Sequence, residues 1–335
     1  MRLLARFLPL AILLCPFARA DERPNRTFVF VYEAGLASVP EGAKEVRLWI
    51  PVPMDNPDQK IADVKVAVTA DGATKEAAVA ADGTLKGALP LKCTLSPIGH
   101  GWGRSLCVES AGKPFSVRMT ATVTRFECAG GGTATPKDIE MLKGPDKMVP
   151  LGGKASAMAK GIPDGGDTNA TAKAIYDHVL DRMKYDKSGQ GWGRGDAEWA
   201  CDSRFGNCTD FHSYFMAIAR TKGIATRFEM GFNVPAGSEA EAPIGGYHCW
   251  AFYWDGSKWM PVDISEADKM PDRAEYLFGN LDADRVTFTG GRDLELSPAP
   301  AAGALNFFVY PYCEVDGKEW KDVSKSFKRI LPARG

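Results

Sequence analysis

Histidine is scarce in this chain, with four in 335 residues, and no His-x3-His spacing or Cys-x2-Cys pair occurs. A zinc site needs several such ligands converging on one point, so no metal is expected. Charge of one sign is equally scarce. The 41 Lys and Arg stand against 42 Asp and Glu, a formal net charge of −1, and no run of like charges breaks the balance. That removes the electrostatic footprint a nucleic-acid partner would need. Past the first twenty residues no apolar stretch is long enough to span a bilayer, so no stable membrane insertion is expected. The acidic residues Asp282, Asp284, Asp293 and Glu295 lack a calcium-loop pattern and read as solvated surface. No internal repeat is apparent, and no cofactor is implied.

What is present suits a globular protein. Hydrophobic residues make up 45% of the chain and charged residues 25%, enough for two domains with real cores. Residues 1–20 read as a signal peptide: Arg2 and Arg6 form a basic start, Leu8 to Leu14 an apolar stretch, and Ala18-Arg19-Ala20 a small-x-small cleavage site. Leu14 before Cys15 argues against a lipid anchor. The expected location is periplasmic or secreted.

Residues 21–145 read as a β-sandwich-like domain. Thr27 to Tyr32, Glu45 to Ile50, Val64 to Val68 and Phe115 to Val123 are strand-like and separated by Gly, Pro, Asn and Asp clusters. Gly130 to Gly166 reads as a connection carrying a short helix near Ala155 to Lys160, and Thr168 or Asn169 as the cap of a helix through Met183. Tyr185 to Trp199, rich in Gly, Trp and charge, reads as a loop in which Gln190 and Trp192 are candidates for substrate contacts or an oxyanion donor.

Three residues then follow in order, each in a context suited to thiol chemistry. Gly206-Asn207 is a turn signal, and Phe211, Phe215, Ile218 and Ala219 recur at helical spacing, so Cys208 should open a helix. The positive end of the helix dipole favours thiolate there, and the N–H groups at the helix start can hold an oxyanion. Tyr247 to Trp254 and Lys258 to Val262 read as a hairpin joined at Asp255-Gly256. A two-residue loop would set His248 directly opposite Asp263, where the carboxylate can fix the imidazole's tautomer. A four-residue loop would leave the two on the same face as diagonal neighbours, and a three-residue loop would split them between faces. His212 and Cys249 read as structural, since Cys249 should point away from the His248 face.

The order Cys208, His248, Asp263, the segment Arg220-Thr221-Lys222-Gly223-Ile224-Ala225-Thr226-Arg227, and His248-x-Trp250 followed by Trp259-x-Pro261-x-Asp263 resemble the transglutaminase-like superfamily. Ala225-Thr226 departs from the usual Pro-Ala after Gly-Ile without touching a reactive group. The resemblance implies an α+β chain: a papain-like transglutaminase core over residues 146–335, with helices on an antiparallel sheet, preceded by the sandwich-like domain. It also implies Cys208 as nucleophile, His248 as general base and acid, and Asp263 as the orienting carboxylate. The expected function is that of an exported thiol enzyme acting on amide bonds of a protein or peptide substrate through a thioester. Hydrolysis, as in a peptidase, is favoured over amine transfer because no acceptor site is evident. The alternatives are a cross-linking transglutaminase and a non-catalytic envelope binding protein on the same scaffold.

Without Cys15 the chain keeps seven cysteines, Cys93, Cys107, Cys128, Cys201, Cys208, Cys249 and Cys313. Export permits disulfides, so an odd count leaves one thiol over, expected to be Cys208, and Cys93–Cys107 is the expected local bridge.

Overall fold

The computed structural model describes residues 21–332, so the signal-peptide reading lies outside the described residues. The chain is α+β, with three main antiparallel sheets. The seven-stranded sheet runs in the order Glu241–Pro243, Ser324–Ile330, Asn25–Gly35, Ser116–Phe126, Gln59–Ala70, Ala73–Val79 and Leu85–Lys86. A five-stranded sheet of Lys318–Glu319, Tyr312–Val315, Val46–Val52, Arg104–Ser110 and Lys92–Pro97 shares a core with it. Alternation explains the sandwich: Val117, Met119, Ala121 and Val123 of one strand face inward, toward Leu48 and Ile50 of the other sheet's central strand.

The third sheet carries the functional strands, in the order Trp259–Val262, Tyr247–Trp254, Thr226–Asn233, Arg285–Glu295 and Gly99–Trp102. The helix Cys208–Thr221 packs on it and is buried on every side except at Thr221. Such a helix draws its stability from packing rather than propensity. Gly223, at φ +79°, ends it by letting Ile224 N–H return to Ala219 O at 2.9 Å.

The boundary expected at residue 145 does not separate the sheets. Ser324–Ile330 pairs with Asn25–Gly35, Tyr312–Val315 with Val46–Val52, and Gly99–Trp102 with Arg285–Glu295. In the first two pairs the late strand covers what would otherwise be an open sheet edge, and in the third the early strand Gly99–Trp102 covers the edge of Arg285–Glu295. The cores merge as well, with Phe232 and Phe327 rings 4.5 Å apart and Phe30 5.1 Å from both Phe232 and Phe288. At about 1.5–3 kcal/mol per buried aromatic, this cluster binds the two halves into one core.

Three local expectations also change. The helix Thr168–Arg182 is capped by Asp167, whose Oδ1 accepts the Ala170 N–H at 2.8 Å, and not by Thr168 or Asn169. The stretch read as loop up to Trp199 contains the start of a helix, Ala197–Ser203, capped by Asp196. The Cys93–Cys107 bridge is absent, and all seven cysteines described are free. Cys93 lies opposite Val108 and Cys107 opposite Thr94, so the two thiols leave opposite faces of the sheet. They belong to different hydrophobic clusters.

Candidate active site

Cys208 takes the first position of its helix because Asn207 caps it. Asn207 Oδ1 accepts the Thr209 N–H at 2.9 Å, and Asp210 Oδ2 returns to the Asn207 N–H at 3.0 Å, a reciprocal capping box. Asp210 reaches further, accepting the Gly193 and Gly195 N–H groups at 2.7 and 3.0 Å. The loop before the helix is thereby fastened to the helix start. The Cys208 N–H itself donates to no acceptor among the described residues, and it sits at the positive end of the helix dipole.

The hairpin loop holds four residues rather than two, since Trp254 pairs with Trp259. Asp255 decides this: its Oδ1 accepts the Ser257 and Lys258 N–H groups at 2.7 and 2.8 Å, an Asx turn that closes on Lys258. His248 and Asp263 are therefore not directly opposed. Asp263 has left the strand and caps the helix Ile264–Lys269, Oδ1 accepting from Glu266 N–H at 3.0 Å and Ser265 Oγ at 3.1 Å. Its Oδ2 accepts from His248 Nε2 at 2.5 Å. Nδ1 is then the ring nitrogen that Asp263 leaves free, and His248 and Cys208 each favour the charged form of the other.

Burial alone would keep both partners neutral. For Cys208, burial is outweighed by hydrogen bonds from Cys249 and His248 and by imidazole charge, which hold the thiol well below its ordinary range. For His248, burial is outweighed by the charge and hydrogen bond of Asp263 and by Cys208, which push it up to about 9. The thiol is shifted down and the imidazole up, the two directions that favour a thiolate beside an imidazolium. Asp263, against its burial, is held well below the carboxylate range by His248 and Arg285.

Sequence reasoning missed Arg285. Its Nη1 donates to Asp263 Oδ2 at 2.7 Å, its Nη2 to Glu266 Oε2, and its guanidinium lies 5.4 Å from the Trp250 ring. An arginine at a strand start reads as surface, and only the acidic Asp282 and Asp284 just before it hinted at a buried ion-pair network. Tyr247 was missed too. Its hydroxyl bonds Asn207 Nδ2 at 2.7 Å and Thr209 Oγ1 at 2.9 Å, bridging the residues on either side of Cys208. Asp210 left a readable signal, the Asn-x-x-Asp form of the capping box.

His212 has a structural place, as expected: Nδ1 donates to Cys208 O at 2.7 Å, and Nε2 accepts the Ile264 N–H at 3.2 Å. Burial lowers its pKa, in keeping with a neutral ring that ties the first turn of the Cys208 helix to the Asp263 cap. Cys249 does face away from His248, against the helix, with Sγ 3.8 Å from both Thr209 Oγ1 and His212 Nδ1. It also touches the Cys208 thiol, a contact the sequence did not suggest.

Gln190 is exposed, and no hydrogen bond among the described residues joins it to the triad. Trp192 is half-buried, 5.8 Å below the Lys187 ammonium, and next to Gly193, where an added Cβ would meet Asn207 Nδ2 at 3.3 Å. The loop thus brings Trp192 near the helix start and leaves Gln190 further out. His248, Asp263 and Glu266 place possible metal-ligand atoms within 4.8 Å of one another. Arg285 already donates to both carboxylates, so a cation would have to displace a buried guanidinium, and the set fits an ion-pair network better than a metal site.

Residues 156–264 match the family model of the transglutaminase-like superfamily. An uncharacterized Haemophilus influenzae protein is 35% identical over 201 residues, 49% of this chain and 54% of that protein, so the chain spans about half the length of the relative it matches. A Cytophaga hutchinsonii protein provisionally described as a cysteine protease superposes with a TM-score of 0.51 at 14% identity, over 91% of this chain and 100% of that one. That likeness speaks for the fold. The periplasmic domain of TgpA from Pseudomonas aeruginosa, also 14% identical, covers 73% of this chain and 90% of that domain with a TM-score of 0.35. No helix among the described residues is long and apolar enough to cross a membrane.

Proposed function

Taking residues 156–264 as a transglutaminase-like core, we propose that this chain is an exported thiol enzyme that cleaves amide bonds in proteins or peptides. The observation that carries the reading is the buried His248–Asp263 pair, with Nε2 and Oδ2 2.5 Å apart, together with Cys208 at the start of its helix. The Cys208 thiolate attacks the amide carbonyl, and the oxyanion that forms is held by the free Cys208 N–H. The His248 imidazolium gives its proton to the leaving amine, producing a thioester. His248, now neutral, takes a proton from water as the water attacks the thioester, releasing the acid and restoring the thiolate. Asp263 stays ionised throughout and keeps the ring oriented. Trp192 and Gln190 are assigned to the substrate side of the same cleft.

The test is labelling with a thiol-reactive probe and peptide mapping, followed by mass spectrometry of products from peptides offered with and without a primary amine. Selective labelling of Cys208 and free acid products support the proposal. Incorporation of the amine would turn it to protein cross-linking. A Cys208 that labels no faster than the other thiols would sink catalysis and leave a binding module.

A further inference from the structure

The family-matched segment ends at residue 264, yet one wall of a large groove that also includes Gly193 and Arg194 is built from later residues. A groove of about 580 Å³ is lined by Met148, Leu305, Phe307, Tyr310 and Tyr312, with Gly193 at its inner end. These large side chains are only half-buried, so the groove leaves apolar surface in contact with water. The charged groups in its lining, Arg194 and Glu319, are both exposed and stand at the rim.

The groove's walls touch the neighbours of both reacting residues. An added Cβ on Gly193 would stand 3.3 Å from Asn207, the residue before Cys208. Tyr310 Oη accepts the N–H of Tyr247, the residue before His248, at 3.1 Å. The Tyr247 ring lies 6.1 Å from Phe307 and 5.2 Å from Tyr310. The groove is also firmly built. Buried Arg292 donates to Ser213 of the nucleophile helix at 2.7 Å, to Gly195 O at 2.9 Å and to Asn306 Oδ1 at 2.6 Å. Asn306 in turn donates to Arg194 O at 2.7 Å. A preformed, largely apolar recess of this size with its charged groups confined to the rim is the usual form of a small-ligand or side-chain subsite.

We propose that this groove is the specificity pocket of the Cys208 site, taking a bulky apolar, preferentially aromatic, side chain of an extended peptide within about two residues of the reacting carbonyl. The spacing follows from reach: the groove's walls contact Asn207 and Tyr247, the residues that precede Cys208 and His248, and an extended chain advances about 3.3–3.6 Å per residue. The inference rests on Cys208 being the nucleophile.

The experiment uses peptidyl chloromethyl ketones, identical except for phenylalanine, glycine or aspartate beside the warhead or one residue further. Rates of Cys208 modification are read by peptide mass and divided by the iodoacetamide rate on the same protein. The phenylalanyl probe should react at least about tenfold faster than the glycyl one, as burial of one aromatic side chain allows. Met148→Asp and Phe307→Ser should each cut that ratio by about fivefold or more, because a charge or a void replaces the apolar wall. Equal rates, or a preference for aspartate, overturn the groove. If iodoacetamide itself fails to modify Cys208 selectively, the enzyme reading fails instead, and the two failures are told apart.

Discussion

Asp263→Asn is the sharpest probe of the site because it removes a charge while keeping an acceptor for the Glu266 N–H and Ser265 Oγ. In the native protein burial disfavours the His248 imidazolium, yet Asp263 and Cys208 raise it from 6.5 to about 9. With the carboxylate gone, burial has weaker opposition, and the ring should titrate at or below its ordinary value. The shift that Asp263 and Cys208 together hold corresponds to about 3 kcal/mol, at about 1.36 kcal/mol for each pKa step, and Asp263 is its leading source. The sign is fixed: a raised imidazolium pKa supports the thiolate–imidazolium pair up to the raised value, so its loss removes the pair from the alkaline side first. At pH 8 the charged ring should fall from about nine-tenths to a few per cent of molecules, slowing Cys208 alkylation about 30-fold or more, whereas at pH 6 the loss should be slight. Iodoacetamide rates from pH 5 to 10, read on the Cys208 peptide, test this. A rate lowered by the same factor at every pH, with the alkaline limb still near 9, would refute the electrostatic account.

Arg285→Met leaves Asp263 and Glu266 buried against one imidazolium, and should lower stability by about 3–5 kcal/mol in denaturant unfolding. A loss under about 1 kcal/mol would mean the ion pair is matched by desolvation. Tyr247→Phe removes the hydroxyl that bridges Asn207 and Thr209, leaving two buried polar groups unpaired at a cost of about 1–3 kcal/mol, seen as a lower thermal midpoint. Cys93 and Cys107 should stay reduced when the protein is purified without reductant, because they leave opposite sheet faces. A disulfide-linked peptide joining them in a non-reducing digest would contradict that register.

The candidate triad was legible because each member carries its own local signal. Cys208 follows a turn and opens a periodic helix, and His248 lies in an aromatic strand returning through Asp255-Gly256. The loop's length was not legible, since Asp-Gly favours a two-residue turn by type but Asp255 can equally well recruit two N–H groups with its side chain. His248 and Asp263 still meet because Asp263 steps out of the strand to cap a helix. The disulfide reading failed on a one-residue offset, which decides the face of a strand and leaves no trace in spacing. Arg285 and Tyr247 were hidden for a related reason: local pattern reads the one as surface and the other as core, and their roles arise from partners far away in sequence. The two-domain division missed the return of Tyr312–Val315 and Ser324–Ile330, short strands whose pairing is set by open edges elsewhere.

That return has a consequence for the order in which the molecule can be made. Asn25–Gly35 and Ser324–Ile330 are hydrogen-bonded neighbours, and Ser326 reaches Glu33 across a sequence separation of 293 residues. The sheet that includes Asn25–Gly35 cannot be finished until Ser324–Ile330 has been synthesised, and closing so long a loop is slow compared with local folding. The strand carrying Phe327 also completes the aromatic core that includes Phe232, on the strand paired with that of His248. The Cys208 thiol therefore gains its fully packed surroundings only once that strand has docked. A chain that has not yet added Ser324–Ile330 holds Cys208 on a helix without the finished core around it, which ties the surroundings of this thiol to a strand far later in the sequence.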